Sequence, residues 1–319
     1  MDEQNHPAQA PSPLAPTSTF DARSAQPFIV KSLSAETRRA YAAAIRDFFR
    51  FVGHIHPLAV TPGHVIAYRD RLMSGGRRPR TVVARLAVVR SFFSYLVEAG
   101  QLPRNPASAK LVPPPKVPAS AAGRALSKKE VLHILTAPDR RTPEGARDHA
   151  LMLLMARLSL RLSEVCALKV SSISPGTASW VLECKVKGGR EERWPLPQDV
   201  KERVDEYLRL DAPRRIALGT DGPGAWLFQP HKNHRTLVHN KPLSQRQVQK
   251  LVARWADYAG VGKVTPHDFR RTAITEMLKT YPIQEVQMAS KHRDVRTLMA
   301  YDRDRENLER NPVNTFRYD

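Results

Sequence analysis

Six prolines at positions 103, 106, 113, 114, 115 and 118 divide this 319-residue chain. Proline has no amide proton and a fixed φ, so neither a helix nor a sheet interior runs through such a stretch. Residues 103–125 are therefore expected to form an extended, semi-rigid linker between two folded parts. Lys110, Lys116 and Arg124 make that linker basic, suited to tracking a phosphate backbone. With 41% hydrophobic residues the chain has apolar side chains enough for a core on each side of it.

Residues 1–30 carry Pro7, Pro11, Pro13, Pro16 and Pro27 among Ala, Ser, Thr and Gln, and are expected to be a disordered tail. The first domain, 31–102, is expected to be helical. Ser34 is placed to cap a helix whose apolar positions include Tyr41, Ile45, Phe48, Phe49 and Val52, ending at Gly53. Thr61-Pro62 opens a second helix, which Gly75-Gly76 breaks. Pro79 opens a third, with Val82, Leu86, Val89, Phe93 and Leu96 on its inner stripe and Gly100 at its end. Arg77, Arg78, Arg80, Arg85 and Arg90 load the start and one side of this helix, which points to nucleic-acid contact rather than a plain solvated face.

The second domain, 126–319, opens on the capping box Ser127-Lys128-Lys129-Glu130. A near-continuous apolar helix follows from Arg147 to Arg157, then a tight turn around Ser159 and a short helix expected to be capped by Ser163. The period then changes to that of strands at 179–186 and 192–196, joined by the turn Lys187-Gly188-Gly189-Arg190. Helix is expected again from Asp199 to Leu210, with a loop at 212–224, a basic loop at 231–241 and a helix from the capping box at Ser244 to Gly260. The fold class expected is mainly α with a small antiparallel β-sheet (α+β).

Lys and Arg number 51 against 31 Asp and Glu, a net charge of +20, which favours a polyanionic partner. Cys166 and Cys184 form neither a disulfide framework nor a CxxC motif, as expected of a protein in a reducing cytoplasm. No apolar run is long enough to span a bilayer and no signal pattern is present, so a membrane partner is not expected.

The chemistry concentrates between Thr265 and Tyr301. His267 and Arg270, three residues apart, share a helix face; His292 and Tyr301 follow. These are residue types that hold a phosphate, attack it and move a proton. Upstream, Arg161 taken alone fits an ion pair with Glu164, and Lys187 alone fits a solvated hairpin tip. The order of all six is more specific. Leu160-Arg161-Leu162-Ser163-Glu164, Lys187-Gly188-Gly189-Arg190 with Pro195-Leu196, His267-Asp268-Phe269-Arg270, His292 and Tyr301 nine residues on together resemble the tyrosine recombinase, or phage integrase, family. The likeness extends to the first domain, similar to the family's helical SAM-like core-binding domain, including Asn105-Pro106-Ala107. Two positions depart from the pattern: Ser159 and Lys291 stand where the family typically has Gly. If the turn at 159 needs φ > 0, Ser there costs about 1 kcal/mol.

The resemblance implies a two-domain enzyme that cleaves and rejoins double-stranded DNA at inverted-repeat sites, through a 3′-phosphotyrosine and a Holliday junction. Two protomers would bind each site and four would form the synapse, and the tail after Tyr301 would pack on a neighbour. Accessory DNA-bending proteins or a partner recombinase fit such a system. In this scheme Tyr301 attacks the phosphorus, while Arg161 and Arg270 clamp the non-bridging oxygens. Lys187 protonates the leaving 5′-oxygen, His267 takes the tyrosine proton, His292 donates to a phosphate oxygen and Glu164 orients an arginine. The short segment before Ser32 leaves the expectation at two domains. No metal or other cofactor is implied, because the two arginines supply the charge a divalent ion would. His231, His234 and His239 fit a DNA-facing loop better than a zinc site. The alternatives left open are a type IB topoisomerase or resolvase-like strand transferase, and a sequence-specific DNA-binding protein that does not cleave.

Overall fold

Several helices in this protein start on a polar side chain one residue before their first turn. The computed structural model describes residues 19–117, 124–186, 189–231, 240–299 and 301, and the chain divides into two compact units, Met1–Ser120 and Ala121–Asp319.

In the first unit α1 (Gln26–Val30) precedes α2 (Ala35–Phe51), whose first turn is capped by Ser34 Oγ accepting from Thr37 N at 3.3 Å. Helix α3 (Pro62–Ser74) starts on Thr61 with Pro at its first position, and α4 (Pro79–Glu98) likewise starts on Pro79. These helices enclose an aromatic core of Phe28, Phe48, Phe49, Tyr68, Phe92 and Phe93, each at most 2% exposed. Several of these rings meet edge to face, among them Phe48 with Tyr68 at 5.2 Å and Phe49 with Phe92 at 5.8 Å. At the edge of the core Asp47 gathers Tyr68 Oη at 2.8 Å, Arg85 Nη1 at 2.6 Å and Arg71 Nη2 at 3.1 Å.

Two expectations change here. The tail is shorter than 1–30, because Phe20, Ala25, Phe28 and Ile29 are buried in this core and 22–30 are helical or 3-10 in form. Apolar side chains spaced among the prolines were enough to anchor it; residues 1–18 lie outside the described residues. The linker also begins later than Pro103. Leu102, Ala107 and Val112 join the same core, and Arg90 donates to the carbonyls of Ala107 at 2.9 Å and Val112 at 3.3 Å. Asn105 ties the segment down through Arg90 O and Ser94 Oγ, both at 2.9 Å. Proline excludes regular structure there but not packing.

In the second unit α5 (Lys128–Thr136) starts on the Ser127–Glu130 capping box, and α6 (Pro143–Leu158) is buried along most of its length. Helix α6 packs against both α8 (Gln198–Ala217) and α10 (Pro266–Leu278). Between them come α7 (Leu162–Cys166) and an antiparallel sheet in the order β1 (Ile173–Pro175), β2 (Trp180–Lys185), β3 (Glu191–Leu196). The register pairs Leu182 with Trp194 and Trp180 with Leu196, and alternate residues Leu182, Cys184, Trp194 and Leu196 face the core. Then follow α9 (Gln245–Tyr258), capped by Ser244, α10, α11 (Ile283–Ser290) and α12 (Val295–Met299).

Two local expectations are corrected and one strand, β1, was not anticipated. The short helix is capped by Arg161 with Glu164, not by Ser163. Strand β1 was too short to show a period. Helix α8 passes through Pro213 to Ala217 instead of ending near Leu210, because Arg214 and Arg215 both fold back onto the fully buried Asp211, at 2.7 and 2.8 Å. No helix among the described residues is long and apolar enough to cross a membrane. Replacing Phe93 by Ala should remove about 3–5 kcal/mol from the first unit. Chemical denaturation should show this as a lower midpoint at an unchanged slope; an unchanged midpoint would mean the aromatic core is not what holds the helices.

Candidate active site

The site is built where the starts of α7 and α10 meet the ends of α6 and α11. Helix α10 starts on Thr265, whose amide and hydroxyl both donate to Asp268 Oδ2, at 2.8 and 2.7 Å. Pro266 occupies the first position, so the helix begins sharply and places His267 in its opening turn with Arg270 one turn deeper. Arg270 is 2% exposed. Its Nη1 donates to Ser159 O, and its Nη2 donates to Ser290 O at 2.9 Å and approaches His292 Nε2 at 3.2 Å. Ser159 and Ser290 close α6 and α11, so one guanidinium satisfies carbonyls that a helix C-terminus leaves without partners.

The two departures from the expected glycines explain themselves in this geometry. Ser159 has φ 50° and Lys291 φ 55°, both in the left-handed region. Each residue reverses the chain at the end of its helix, a turn that glycine makes without strain. The carbonyl oxygens at 159 and 290 are thereby aimed at Arg270. These two contacts to Arg270 are made by backbone carbonyls, which side-chain identity alone does not reveal.

His292 is held on both ring nitrogens. Ser290 Oγ donates its only proton to Val286 O at 2.6 Å, so it accepts from His292 Nδ1–H at 2.7 Å. Nε2 then carries the lone pair facing Arg270. Burial, reinforced by the charges of Arg270 and Arg161 and by His267, holds this imidazole down at about 4. His267 is lowered too, by desolvation and then by Arg271 and Arg270. Both rings are neutral at pH 7. Arg270 itself is brought down to about 10, first by burial and then by Arg161, so it stays charged.

Arg161 enters from the N-terminus of α7. Its backbone N donates to Glu164 Oε2 at 2.7 Å and its Nη1 to Glu164 Oε1 at 2.8 Å, while Glu164 is only 2% exposed. A buried carboxylate thus aims a guanidinium whose side chain remains 36% exposed. Tyr301, 8% exposed, packs on Ile274, Val286 and Leu298. Its Oη lies 3.3 Å from His267 Nε2, and the Arg271 guanidinium sits over its ring at 5.2 Å. Neutral His267 is therefore within reach of the phenolic proton.

The structure brings together Arg161, Glu164, His267, Arg270, His292 and Tyr301. Lys187 lies outside the described residues, as do His234, His239 and the tail after Tyr301. His231 sits 3.1 Å from Asp211, and no cluster of three His, Cys, Asp or Glu side chains suited to a metal occurs among the described residues. Ser290 and Arg271 belong to the site and were missed, since neither stands out in a run of ordinary helical residues. Of the basic residues assigned to DNA, Arg77, Arg78, Arg80 and Lys116 are exposed. Arg85 is occupied by Asp47, Arg90 by the carbonyls of Ala107 and Val112, and Arg124 by Glu130 and the carbonyl of Val261. Arg85 and Arg90 thus have structural roles that their place on the helix did not reveal.

The depressed imidazole of His292 has a consequence for stability. Unfolded, it takes up a proton near pH 6.5; folded, it does so only near 4. Across that window the unfolded chain binds more protons, so stability is full above about pH 6.5 and falls as pH drops toward 4. His292→Gln should flatten this part of the curve, read as the urea midpoint between pH 7 and 4.5; parallel curves would contradict the assignment.

Comparison with known proteins agrees with this geometry. Residues 124–307 match the Phage integrase family, and residues 28–100 match its N-terminal SAM-like domain. The chain is 28% identical over 249 residues to tyrosine recombinase XerC of Thermodesulfovibrio yellowstonii, covering 78% of each. It is 26% identical over 284 residues to tyrosine recombinase XerD of Listeria monocytogenes, covering 86% of this chain and 89% of that one. Among solved structures, the XerH site-specific recombinase bound to palindromic difH substrate in a post-cleavage complex has a TM-score of 0.68 at 18% identity, with 88% and 80% coverage. A lambda integrase dimer bound to a COC′ core site has a TM-score of 0.64 at 18% identity, with 89% and 76% coverage. With both domains matched, and with the arginines, histidines and tyrosine gathered in one site, the chain belongs to the phage integrase family.

Proposed function

We propose that the protein is a site-specific DNA recombinase that breaks and rejoins DNA by metal-independent phosphoryl transfer. The observation that carries this reading is Tyr301 Oη at 3.3 Å from a neutral His267, beside the arginine pair. A phenol titrating near ~10 is a poor nucleophile at neutral pH unless a base and nearby positive charge assist it. His267 Nε2 supplies the base and Arg271 over the ring supplies charge.

In the reaction Tyr301 Oη bonds to the scissile phosphorus as the bond to the 5′-oxygen breaks. The phenolic proton passes to His267, and the leaving 5′-oxygen takes a proton from Lys187. The products are a 3′-phosphotyrosine and a free 5′-hydroxyl. Reversal on a second strand restores the diester, so the bond energy is conserved and no nucleotide cofactor is needed. Arg161 and Arg270 hold the non-bridging oxygens, where charge builds in the transition state. Arg270 already donates to two carbonyls and meets His292 Nε2, so its remaining N–H groups are the ones left for the phosphate. The phosphate charge favours protonation of His292, which converts Nε2 from acceptor to donor.

The substrate is double-stranded DNA carrying inverted repeats, bound by two protomers per site and four in the synapse, with exchange through a Holliday junction. Accessory DNA-bending proteins or a partner recombinase fit the same scheme. The relatives support it: a lambda integrase tetramer has been solved on a Holliday junction. Arg77, Arg78 and Arg80, at the start of α4, with Lys116, are the phosphate contacts of the first domain. The protein acts in the cytoplasm, on the nucleoid.

A duplex nicked near the cleavage point should trap the protein covalently. Tyr301→Phe should bind this DNA with unchanged affinity and give no adduct; an adduct from that variant would remove Tyr301 as nucleophile. Lys187→Ala should lose about 10²–10⁴-fold in cleavage and recover with a 5′-thiol leaving group, which needs no acid. Failure to recover would take the acid role from Lys187.

A further inference from the structure

Lys291 is not accounted for by the reaction. It stands at a left-handed position, φ 55°, where glycine would be unstrained. Its side chain, 24% exposed, reaches the hairpin: Nζ lies 3.5 Å from Glu192 Oε2 and 5.5 Å from the centre of the Trp194 ring, both on β3. Trp194 closes the contact from the other side, its Nε1 donating to Ala289 O at 3.0 Å. Glu192 is also held by Arg190 at 3.3 Å and stands opposite Cys184 of β2. The end of α11, immediately before His292, is thus bonded to both the charged and the aromatic residue of β3, the strand that follows Lys187 in sequence. Lys187 and Glu192 are five residues apart in sequence.

We propose that Lys291 is a positioning residue that ties the β2–β3 hairpin to the His292 turn, so that the leaving-group acid and the phosphate-binding groups are set in one frame. This rests on the recombinase reading for its consequence, and on Glu192, Trp194 and Ala289 for its structure. The Lys291–Glu192 pair is three-quarters covered, so it is less open to salt screening than a surface pair. A glycine at 291 would satisfy the turn and lose the lysine's part of the tie, leaving the Trp194–Ala289 bond. Strain and tie can therefore be separated by one substitution.

Lys291→Gly is the test, because it relieves the backbone and removes only the side chain. Hydrogen exchange of residues 181–196 in the DNA-free protein should speed up while the unfolding midpoint stays level or rises. Cleavage of an ordinary diester should fall about tenfold or more, and the 5′-thiol substrate should restore it, since the missing element is placement of the acid. The charge swap Lys291→Glu with Glu192→Lys should regain part of the loss. Unchanged exchange in the hairpin, or wild-type cleavage on the ordinary diester, overturns the proposal. So does an equal loss on both substrates, which would place the effect on the phosphate side. A weaker, less salt-dependent affinity for uncut DNA would make Lys291 a phosphate contact instead and also overturn it. A wild-type chain that forms no adduct on either substrate, while Lys291→Gly still loosens the hairpin, defeats the recombinase reading and leaves the tie.

Discussion

Arg270 holds the catalytic domain together at the point where it is expected to react. Its guanidinium is buried, and its donors are shared among Ser159 O, Ser290 O and His292. A buried charge without partners would be costly, and two helix C-termini without partners would be costly as well. Each answers the other. The same arrangement fixes Arg270 in the DNA-free protein, so in the proposed reaction the transition state would meet a group that needs no reorganisation.

Around that guanidinium the fold accepts local strain. Ser159 and Lys291 occupy left-handed conformations at a cost of about 1–2 kcal/mol each relative to glycine. Ser159 is 1% exposed and its Oγ finds no partner among the described residues, so its contribution comes through its carbonyl. Lys291 differs, because its side chain reaches Glu192 and Trp194. Strain of this kind persists where surrounding contacts over-determine the backbone.

Much of this was legible in the sequence. The caps at Ser34, Thr61, Ser127 and Ser244 start helices as expected, because a capping side chain acts on its own next turn. The Arg, His, Arg, His, Tyr order anticipated a cluster that the fold assembles. What was not legible depends on distant partners. Phe20 and Phe28 look like tail residues until Phe49 and Phe92 are beside them. Arg85 and Arg90 look like DNA contacts until Asp47 and the carbonyls of Ala107 and Val112 occupy them. Asp211 carries α8 past Pro213 for the same reason.

Arg270 is expected to serve both the fold and the chemistry, bridging two helix ends, whereas the side chain of its companion Arg161 bonds only Glu164 among the described residues, at the start of a single short helix. Comparing the DNA-free stability of Arg270→Lys and Arg161→Lys tests it most directly. An ammonium keeps the charge but cannot span carbonyls at the ends of two helices, so Arg270→Lys should lose about 2–4 kcal/mol. Arg161→Lys, with only Glu164 to satisfy and a partly exposed side chain, should unfold near the wild-type midpoint. Equal midpoints for Arg270→Lys and wild type would contradict the account.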